Sequence, residues 1–143
     1  MDRALQQARL AAERGEVPIG AVIVGPDGLV LAEAGNQTEA DRDPTAHAEM
    51  LAIRAATSRL VASRLIGCDL HVTLEPCPMC AQAISFARIR RVYYGASDPK
   101  GGGIEHGPRI FNQPTCHHRP EVYPGIGERE AGDLLRAFFR DRR

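Results

Sequence analysis

With 143 residues, 43% of them hydrophobic and 25% charged, and a formal net charge of zero, the chain has the composition of one globular domain. It has no apolar run of the roughly 20 residues needed to cross a bilayer, and its charged N-terminus lacks the apolar centre of a secretory signal. These features exclude a membrane-embedded chain, and we expect a cytoplasmic protein with no membrane partner.

The predicted elements alternate between helical and extended patterns, separated by turns rich in Pro and Gly. Apolar residues at helical spacing predict helices, and short β-branched runs predict strands. In chain order we predict a helix over 2–14, strands over 17–24 and 29–32, a helix from about 43 to 58, a strand over 69–74, a helix from 77 to 86, strands over 91–96 and 121–123, and a helix over 128–140. The first two strands flank a Gly-Pro-Asp-Gly turn and predict a hairpin.

The second helix is predicted to begin at Asp43-Pro44, because Asp is a good N-cap and Pro is favoured at the first helical position. Residues 97–120 are rich in Gly and Pro and predict an irregular segment. The order of elements predicts an α/β sandwich around one sheet. No repeat and no linker interrupts the chain, so residues 1–143 are expected to form a single domain.

The four cysteines suggest metal binding more than disulfides. The expected compartment is reducing, and Cys77-x-x-Cys80 lies next to a proline and downstream of a histidine. Cys68 and Cys116 are isolated, as small buried cysteines commonly are, and have no assigned role.

Three candidate metal ligands lie at the beginnings of two predicted helices. His47 is expected in the first turn of the second helix, while Cys77 and Cys80 straddle the start of the third, so both sulfurs can face one point. The free N–H groups and positive dipole of a helix N-terminus favour thiolates. Three ligands of these types are typical of a catalytic zinc site, which keeps one coordination position for water.

Glu49 is the candidate proton carrier, because a carboxylate can take a proton from water and give it to a leaving amine. Positions two apart on a helix point in different directions, so Glu49 is not expected to share the face of His47. It can still reach the metal's water position from the neighbouring turn.

Two other interpretations of these residues stay open. A thioredoxin-like redox motif would place its C-x-x-C after the first strand and would need neither His47 nor Glu49. A structural zinc site would need a fourth ligand; His71 is available, but its position in mid-strand is more typical of a core or cross-strand histidine. The combination of both segments, one helix and one strand apart, favours the catalytic site.

The segments T-A-H-A-E (45–49) and T-L-E-P-C-P-M-C (73–80) together resemble the H-x-E and P-C-x-x-C signature of zinc-dependent base deaminases. The chain is similar to the cytidine-deaminase-like superfamily throughout, and within it to the bacterial tRNA adenosine deaminases. The narrower resemblance rests on Glu16–Val22, Gly35-Asn36, Asp43–Glu49, Thr73–Cys80, Ser85–Ile89, Gly95–Gly102, Phe138–Arg140 and Arg142-Arg143.

This resemblance implies a three-layer α/β/α sandwich with a five-stranded mixed sheet. It implies one Zn²⁺ per chain held by His47, Cys77 and Cys80, with Glu49 as the catalytic acid and base. The implied reaction is hydrolysis of the wobble adenosine of a tRNA anticodon to inosine, with release of ammonia. The implied partners are the tRNA anticodon loop and a second copy of the chain in a homodimer.

The resemblance also assigns substrate-binding roles. Asn36 would hydrogen-bond the flipped base, the backbone N–H of Ala48 would help to hold the substrate, and Asp98 would lie near the ribose of the neighbouring nucleotide. As bare sequence features, however, Gly35-Asn36 and Asp98-Pro99 each indicate no more than a turn.

Two competing functions follow from the same residues. A deaminase of a free base or nucleoside, such as guanine, cytosine or cytidine, would carry the same metal core. Residues 1–87 carry a net charge of −4 and residues 88–143 carry +4, and this basic half favours RNA, as does the Phe138-Phe139-Arg140 ending. Core packing is the alternative role of those two aromatic residues. A non-catalytic zinc protein is disfavoured by Glu49, which such a protein would not need.

Overall fold

The computed structural model describes residues 1–142, and Arg143, which the family resemblance included, lies outside the described residues. The helices are α1 (Asp2–Glu13), α2 (Ala48–Leu60), α3 (Pro78–Phe86) and α4 (Glu128–Arg140). The strands are β1 (Gly20–Val24), β2 (Val30–Gly35), β3 (Asp69–Leu74), β4 (Arg91–Ala96) and β5 (Glu121–Tyr123). Every predicted helix and strand is therefore present, although some of their limits differ.

The five strands form one mixed sheet in the order β2-β1-β3-β4-β5. β1 pairs antiparallel with β2 and with β3, whereas β3, β4 and β5 are parallel to one another. The predicted hairpin is confirmed. Its turn includes Gly28 at a φ of +83°, a left-handed conformation that glycine adopts without steric cost.

Helices cover both faces of this sheet, which confirms the three-layer α/β/α sandwich. Helices α1 and α4 lie on one face, and α2 and α3 lie on the other. Because side chains of a strand alternate between faces, Leu70 and Val72 of β3 and Val92 and Tyr94 of β4 are buried in the larger core with Ile84 of α3. Within residues 1–142, no helix is long and apolar enough to cross a membrane.

Helix α1 packs backbone to backbone on the hairpin. A Cβ atom at Gly20 would lie 2.0 Å from the carbonyl oxygen of Ala4 and 2.6 Å from the nitrogen of Ala8. At Gly35, which pairs with Gly20, a Cβ atom would lie 2.8 Å from the carbonyl oxygen of Gln7. Only glycine permits so close an approach, so these two positions set the distance between α1 and the sheet.

The predicted start of α2 at Asp43-Pro44 is wrong. The Asp43 carboxylate accepts hydrogen bonds from the N–H and the hydroxyl of Thr45, at 2.8 and 2.7 Å, and so closes a local turn instead of capping a helix. The helix begins at Ala48, and His47 is its N-cap with an extended backbone (φ −73°, ψ 152°). His47 therefore precedes the helix rather than lying in its first turn.

The irregular segment 97–120 contains one short 3₁₀ helix, Ile110–Asn112, and is held against the start of α3. The N–H of Gly103 donates to the carbonyl of Pro76, and the N–H of Ile110 donates to the carbonyl of Gly103. Ile104 is buried in the same core as α3. This loop thus lies over the turn that carries Cys77.

We expect Leu70→Ala to lower the free energy of unfolding by about 2–5 kcal/mol, because it leaves a cavity in the core between β3 and α3. The matched control is Leu29→Ala, at a side chain that is 65% exposed, where the change should stay within about 0.5 kcal/mol. Urea unfolding followed by circular dichroism measures both. Equal losses in the two variants would contradict this assignment of the core.

Candidate metal centre

The candidate site lies at one edge of the sheet. β3 and β4 end there side by side, and β2 ends opposite the beginning of β1. Asn36, the 75–80 segment and Asp98 each follow the end of a strand, so the topology brings them to the same edge. The carboxyl ends of parallel strands are the usual place for ligand sites in α/β sheets.

The structure brings His47, Cys77 and Cys80 together. His47 and Cys77 are the N-caps of α2 and α3. Cys80 lies within the first turn of α3, behind Pro78 at the first helical position. The Nδ1 atom of His47 lies 3.6 Å from the Sγ atom of Cys77 and 3.5 Å from that of Cys80. Among residues 1–142, these are the one group of three His, Cys, Asp or Glu whose ligand atoms all lie within 4.8 Å of one another.

These distances fit a tetrahedral zinc ion. With Zn–S near 2.3 Å, Zn–N near 2.1 Å and an angle of about 109°, the nitrogen and sulfur ligands should be about 3.6 Å apart. The alternative fourth ligand, His71, is not part of the group; its ring stacks on its cross-strand neighbour Tyr93 with 4.6 Å between ring centroids. The cross-strand role predicted for His71 is confirmed. Three ligands rather than four are typical of a catalytic site.

The two thiols of the metal-free site differ strongly in acidity. The hydrogen bond from the Cys80 thiol lowers the pKa of Cys77 to about 4; burial opposes this shift, and the bond to His47 adds to it. The same hydrogen bond, together with burial, raises the pKa of Cys80. Cys77 is therefore a thiolate at the N-terminus of α3, where the helix dipole also favours negative charge. Such a thiolate is prepared to bind a metal ion.

Glu49 lies beside these three residues and is 4% exposed. Its pKa is raised to about 7, chiefly by burial and also by the negative charge of Cys77, while a backbone hydrogen bond and His47 act in the opposite direction. The sequence predicted Glu49 and His47 on different faces of one helix. Because His47 precedes the helix as its N-cap, the two side chains lie close enough for His47 to lower the pKa of Glu49. A carboxyl group with a pKa near neutrality can both accept and donate a proton at physiological pH.

Asn36 and Ala48 lie next to His47 and are bonded to each other. The buried Oδ1 atom of Asn36 accepts a hydrogen bond of 2.8 Å from the N–H of Ala48. This bond joins the end of β2 to the first residue of α2. The N–H of Ala48 is thus already paired within the protein, and a bond from it to a substrate would have to share or replace this one.

Asp98 occupies the loop after β4 and closes a turn there. Its carboxylate accepts hydrogen bonds from the N–H groups of Lys100 and Gly101, at 3.2 and 2.9 Å. This is the turn that the bare sequence indicated. Its backbone N–H donates to Glu75, which connects this loop to the segment that carries Cys77.

Two buried glutamates beside the site were missed by the sequence analysis. Glu16 accepts hydrogen bonds from the backbone of Glu39 and Ala40, at 3.2 and 2.9 Å, in the loop that leads to His47. Glu75 accepts hydrogen bonds from the loop after β4. Burial raises the pKa of Glu75, but its hydrogen bonds outweigh this effect and leave the pKa below its usual range. For Glu75 the available signal was an acidic residue directly after an apolar strand, whereas Glu16 lies between α1 and β1 and had no such signal.

Comparison with known proteins gives one family and close relatives. Residues 1–96 match the cytidine and deoxycytidylate deaminase zinc-binding region. The chain is 61% identical over 143 residues to the tRNA-specific adenosine deaminase of Agrobacterium fabrum, and the match covers all of this chain and 93% of that protein.

Solved structures give the same relationship. A structure from work on A-to-I editing by tRNA:A34 deaminases at the wobble position of transfer RNA is 61% identical, with a TM-score of 0.93 over 94% of this chain and 97% of that chain. The guanine deaminase of Bacillus subtilis is 33% identical, with a TM-score of 0.66 over 97% of this chain and 90% of that chain.

In the metal-free protein, we expect iodoacetamide to modify Cys77 readily at pH 6, because its pKa of about 4 leaves it ionised there. Cys80→Ala removes the thiol that donates to Cys77, so the midpoint of this reaction should move to higher pH. Mass spectrometry of each cysteine against pH measures the effect. The buried Cys68, whose pKa is raised by burial, is the internal control. A Cys77 midpoint near the ordinary thiol value of 9.0 in the unsubstituted protein would contradict the expected acidity.

Proposed function

We infer that this chain, which belongs to the zinc-binding cytidine and deoxycytidylate deaminases, converts the wobble adenosine of a tRNA anticodon to inosine. Within that family it belongs to the tRNA-specific adenosine deaminases. In this hydrolysis, water adds to C6 of adenine, the bond from C6 to the exocyclic amine breaks, and ammonia leaves. The observation that carries the inference is the meeting of His47, Cys77 and Cys80 at one point beside the buried Glu49.

We propose that Nδ1 of His47 and the sulfur atoms of Cys77 and Cys80 hold one Zn²⁺ per chain. When bound, Zn²⁺ supplies a Lewis acid that makes water a nucleophile at neutral pH. The proposal rests on the separations of 3.6 and 3.5 Å between His47 Nδ1 and the two sulfurs and on the low pKa of Cys77.

Glu49 is assigned the proton transfers. Its carboxylate accepts a proton from the attacking water and passes it to the exocyclic nitrogen, so that the amine leaves as ammonia. A pKa near 7 suits both halves of this transfer, because neither uptake nor release is strongly uphill. Burial of the side chain keeps bulk water away from the proton while it is held.

Asn36 is assigned to the adenine ring. Because its Oδ1 atom is fixed by the N–H of Ala48, its NH₂ group is the part left to donate to a ring nitrogen of the base. Ala48 is assigned an indirect part in substrate binding, because its N–H, next to His47, fixes the orientation of the Asn36 amide. Asp98 is assigned to the ribose of the neighbouring nucleotide, on the strength of the family resemblance and of its place at the same edge of the sheet.

A basic cleft at the C-terminal helix favours RNA over a free base. This cleft, of about 810 Å³, is lined by Lys100, Leu135, Arg136, Phe139, Arg140 and Arg142. Phe138 is buried, as expected for one of the two aromatic residues, and the Arg142 guanidinium lies 3.5 Å from its ring centroid. Phe139 packs edge-on against Phe138 but is 48% exposed, so part of its ring is accessible to a base. Cations around an exposed aromatic ring are typical of surfaces that bind single-stranded nucleic acid.

The remaining assignments concern assembly. We propose that residues 1–143 form one deaminase domain that acts in the cytoplasm as a homodimer. A shallow groove between the ends of α2 and α3, which is lined by Ile53, Ala83 and the 66%-exposed Phe86, supports contact with a second copy.

We expect Glu49→Ala to lower kcat by about 10³-fold or more while zinc content stays near one ion per chain, because the residue carries protons and is not a ligand. Inosine formation and metal analysis measure the two quantities. Glu33→Gln, at an exposed ion pair with Arg3, is the control and should keep wild-type turnover. Wild-type turnover in Glu49→Ala would contradict the assigned mechanism.

The substrate is tested with an anticodon stem-loop that carries adenosine at the wobble position, beside free adenosine, guanine and cytidine. We expect inosine only in the stem-loop, with KM rising steeply with salt, because the basic cleft binds phosphates. A stem-loop with guanosine at that position is the matched control and should not react. Activity confined to the free compounds would contradict the RNA substrate.

A further inference from the structure

The carboxylate of Glu75 is fully buried and bonded to a single loop. Its Oε2 atom accepts hydrogen bonds from the N–H groups of Ile104, Glu105 and His106, at 3.2, 2.9 and 3.1 Å. Its Oε1 atom accepts one from the N–H of Asp98 at 3.0 Å and lies 2.7 Å from Nδ1 of His106. Both ends of the 98–106 loop are therefore hydrogen-bonded to the carboxylate of Glu75.

The loop is built closely around this carboxylate. A Cβ atom at Gly102 would lie 2.5 Å from Oε2 of Glu75, and one at Gly103 would lie 2.6 Å from the nitrogen of Pro78. Neither atom can move without a cost in stability, because Oε2 of Glu75 belongs to a buried, hydrogen-bonded carboxylate and the nitrogen of Pro78 is backbone at the start of α3. The loop thus rests directly on Glu75 and on the turn that carries Cys77.

A buried carboxylate is costly unless hydrogen bonds replace its hydration. Among residues 1–142, no Lys or Arg forms an ion pair with Glu75. Backbone N–H groups supply most of the hydrogen bonds that replace the hydration of its carboxylate. A neutral amide of the same shape would set its own NH₂ group against one of these donors. The site therefore requires a carboxylate, and the loop conformation depends on it.

The 98–106 loop carries groups assigned to the substrate. Lys100 lines the basic cleft, and Asp98 lies at the sheet edge beside the metal centre. Glu75 itself is buried, and the hydrogen bonds of its carboxylate all go to the 98–106 loop rather than to the cleft or to the three proposed ligands.

We propose that Glu75 is a positioning residue for RNA: it holds the 98–106 loop so that Lys100 and Asp98 meet the nucleotides that flank the reacting base. This rests on the proposed function, since it concerns the same substrate. Loss of the carboxylate releases the loop from the Cys77 turn, weakens RNA binding and leaves the proton transfers of Glu49 in place.

The test compares Glu75→Gln with Glu16→Gln, a matched change at a buried carboxylate that holds the other loop. Amide hydrogen exchange of the zinc-loaded proteins without RNA should become about tenfold faster or more at residues 98–106 in Glu75→Gln only, as expected from the loss of one or two hydrogen bonds. In Glu16→Gln, the faster exchange should fall on residues 38–40.

Steady-state kinetics on the anticodon stem-loop give the second measurement. Glu75→Gln should raise KM about tenfold and leave kcat within about threefold, a pattern typical of lost binding rather than lost chemistry. Glu75→Asp should restore part of the affinity, because it keeps the charge. If Glu75→Gln fails to fold, Gly102→Ala decides, since its added Cβ displaces the loop from the same carboxylate and should give the same rise in KM.

Unchanged exchange at residues 98–106, or a fall in kcat with loss of zinc and an unchanged KM, would overturn the proposal. If the proposed function is wrong, the wild-type protein itself forms no inosine in the stem-loop. That result is distinct from a change in KM between wild type and Glu75→Gln. The exchange measurement contains no RNA and does not depend on that activity.

Discussion

The active edge of this protein depends on the meeting of two helix N-termini at one end of the sheet. β3 and β4 end side by side there, and the chain between β2 and α2 returns to the same place. Each helix is preceded by one extended residue, His47 or Cys77, whose side chain can turn towards the other. The helix dipoles favour the thiolate at this point, so the backbone supplies both the geometry and part of the electrostatics of the metal centre.

Three buried glutamates surround this centre, and their environments give them different roles. Glu16 and Glu75 accept several hydrogen bonds from loop backbone, and these bonds compensate for burial. Glu49 lies among the proposed ligands, where burial dominates and raises its pKa to about 7. The same side chain is therefore structural where N–H groups surround it and reactive where they do not.

The chain is similar both to a structure from work on tRNA:A34 deaminases and to a guanine deaminase, so proteins of this fold act on more than one substrate class. Discrimination between an RNA and a free base must therefore come from the residues around the candidate metal centre. Here the surroundings are a cleft with four cationic side chains, the exposed ring of Phe139, and a loop anchored to the Cys77 turn. The proposed RNA substrate, with phosphates on both sides of the base, would contact these features, whereas a free base carries no phosphate to bind them.

The amino-acid sequence by itself determined the features that depend on short spacing. The C-x-x-C separation, the proline at the first position of α3 and the short β-branched runs are local, so the elements and the three candidate ligands that the fold brings together could be named from it. The start of α2 could not, because Asp43 had two local partners and bonded to Thr45 instead of capping a helix. Only the tertiary structure decided that His47 precedes α2 and interacts with Glu49, and that Phe138 is buried while Phe139 is exposed. It alone showed the hydrogen bonds of Glu75, because the N–H groups that bind this carboxylate lie 23 to 31 residues further along the chain, and no local pattern records a contact made by the fold.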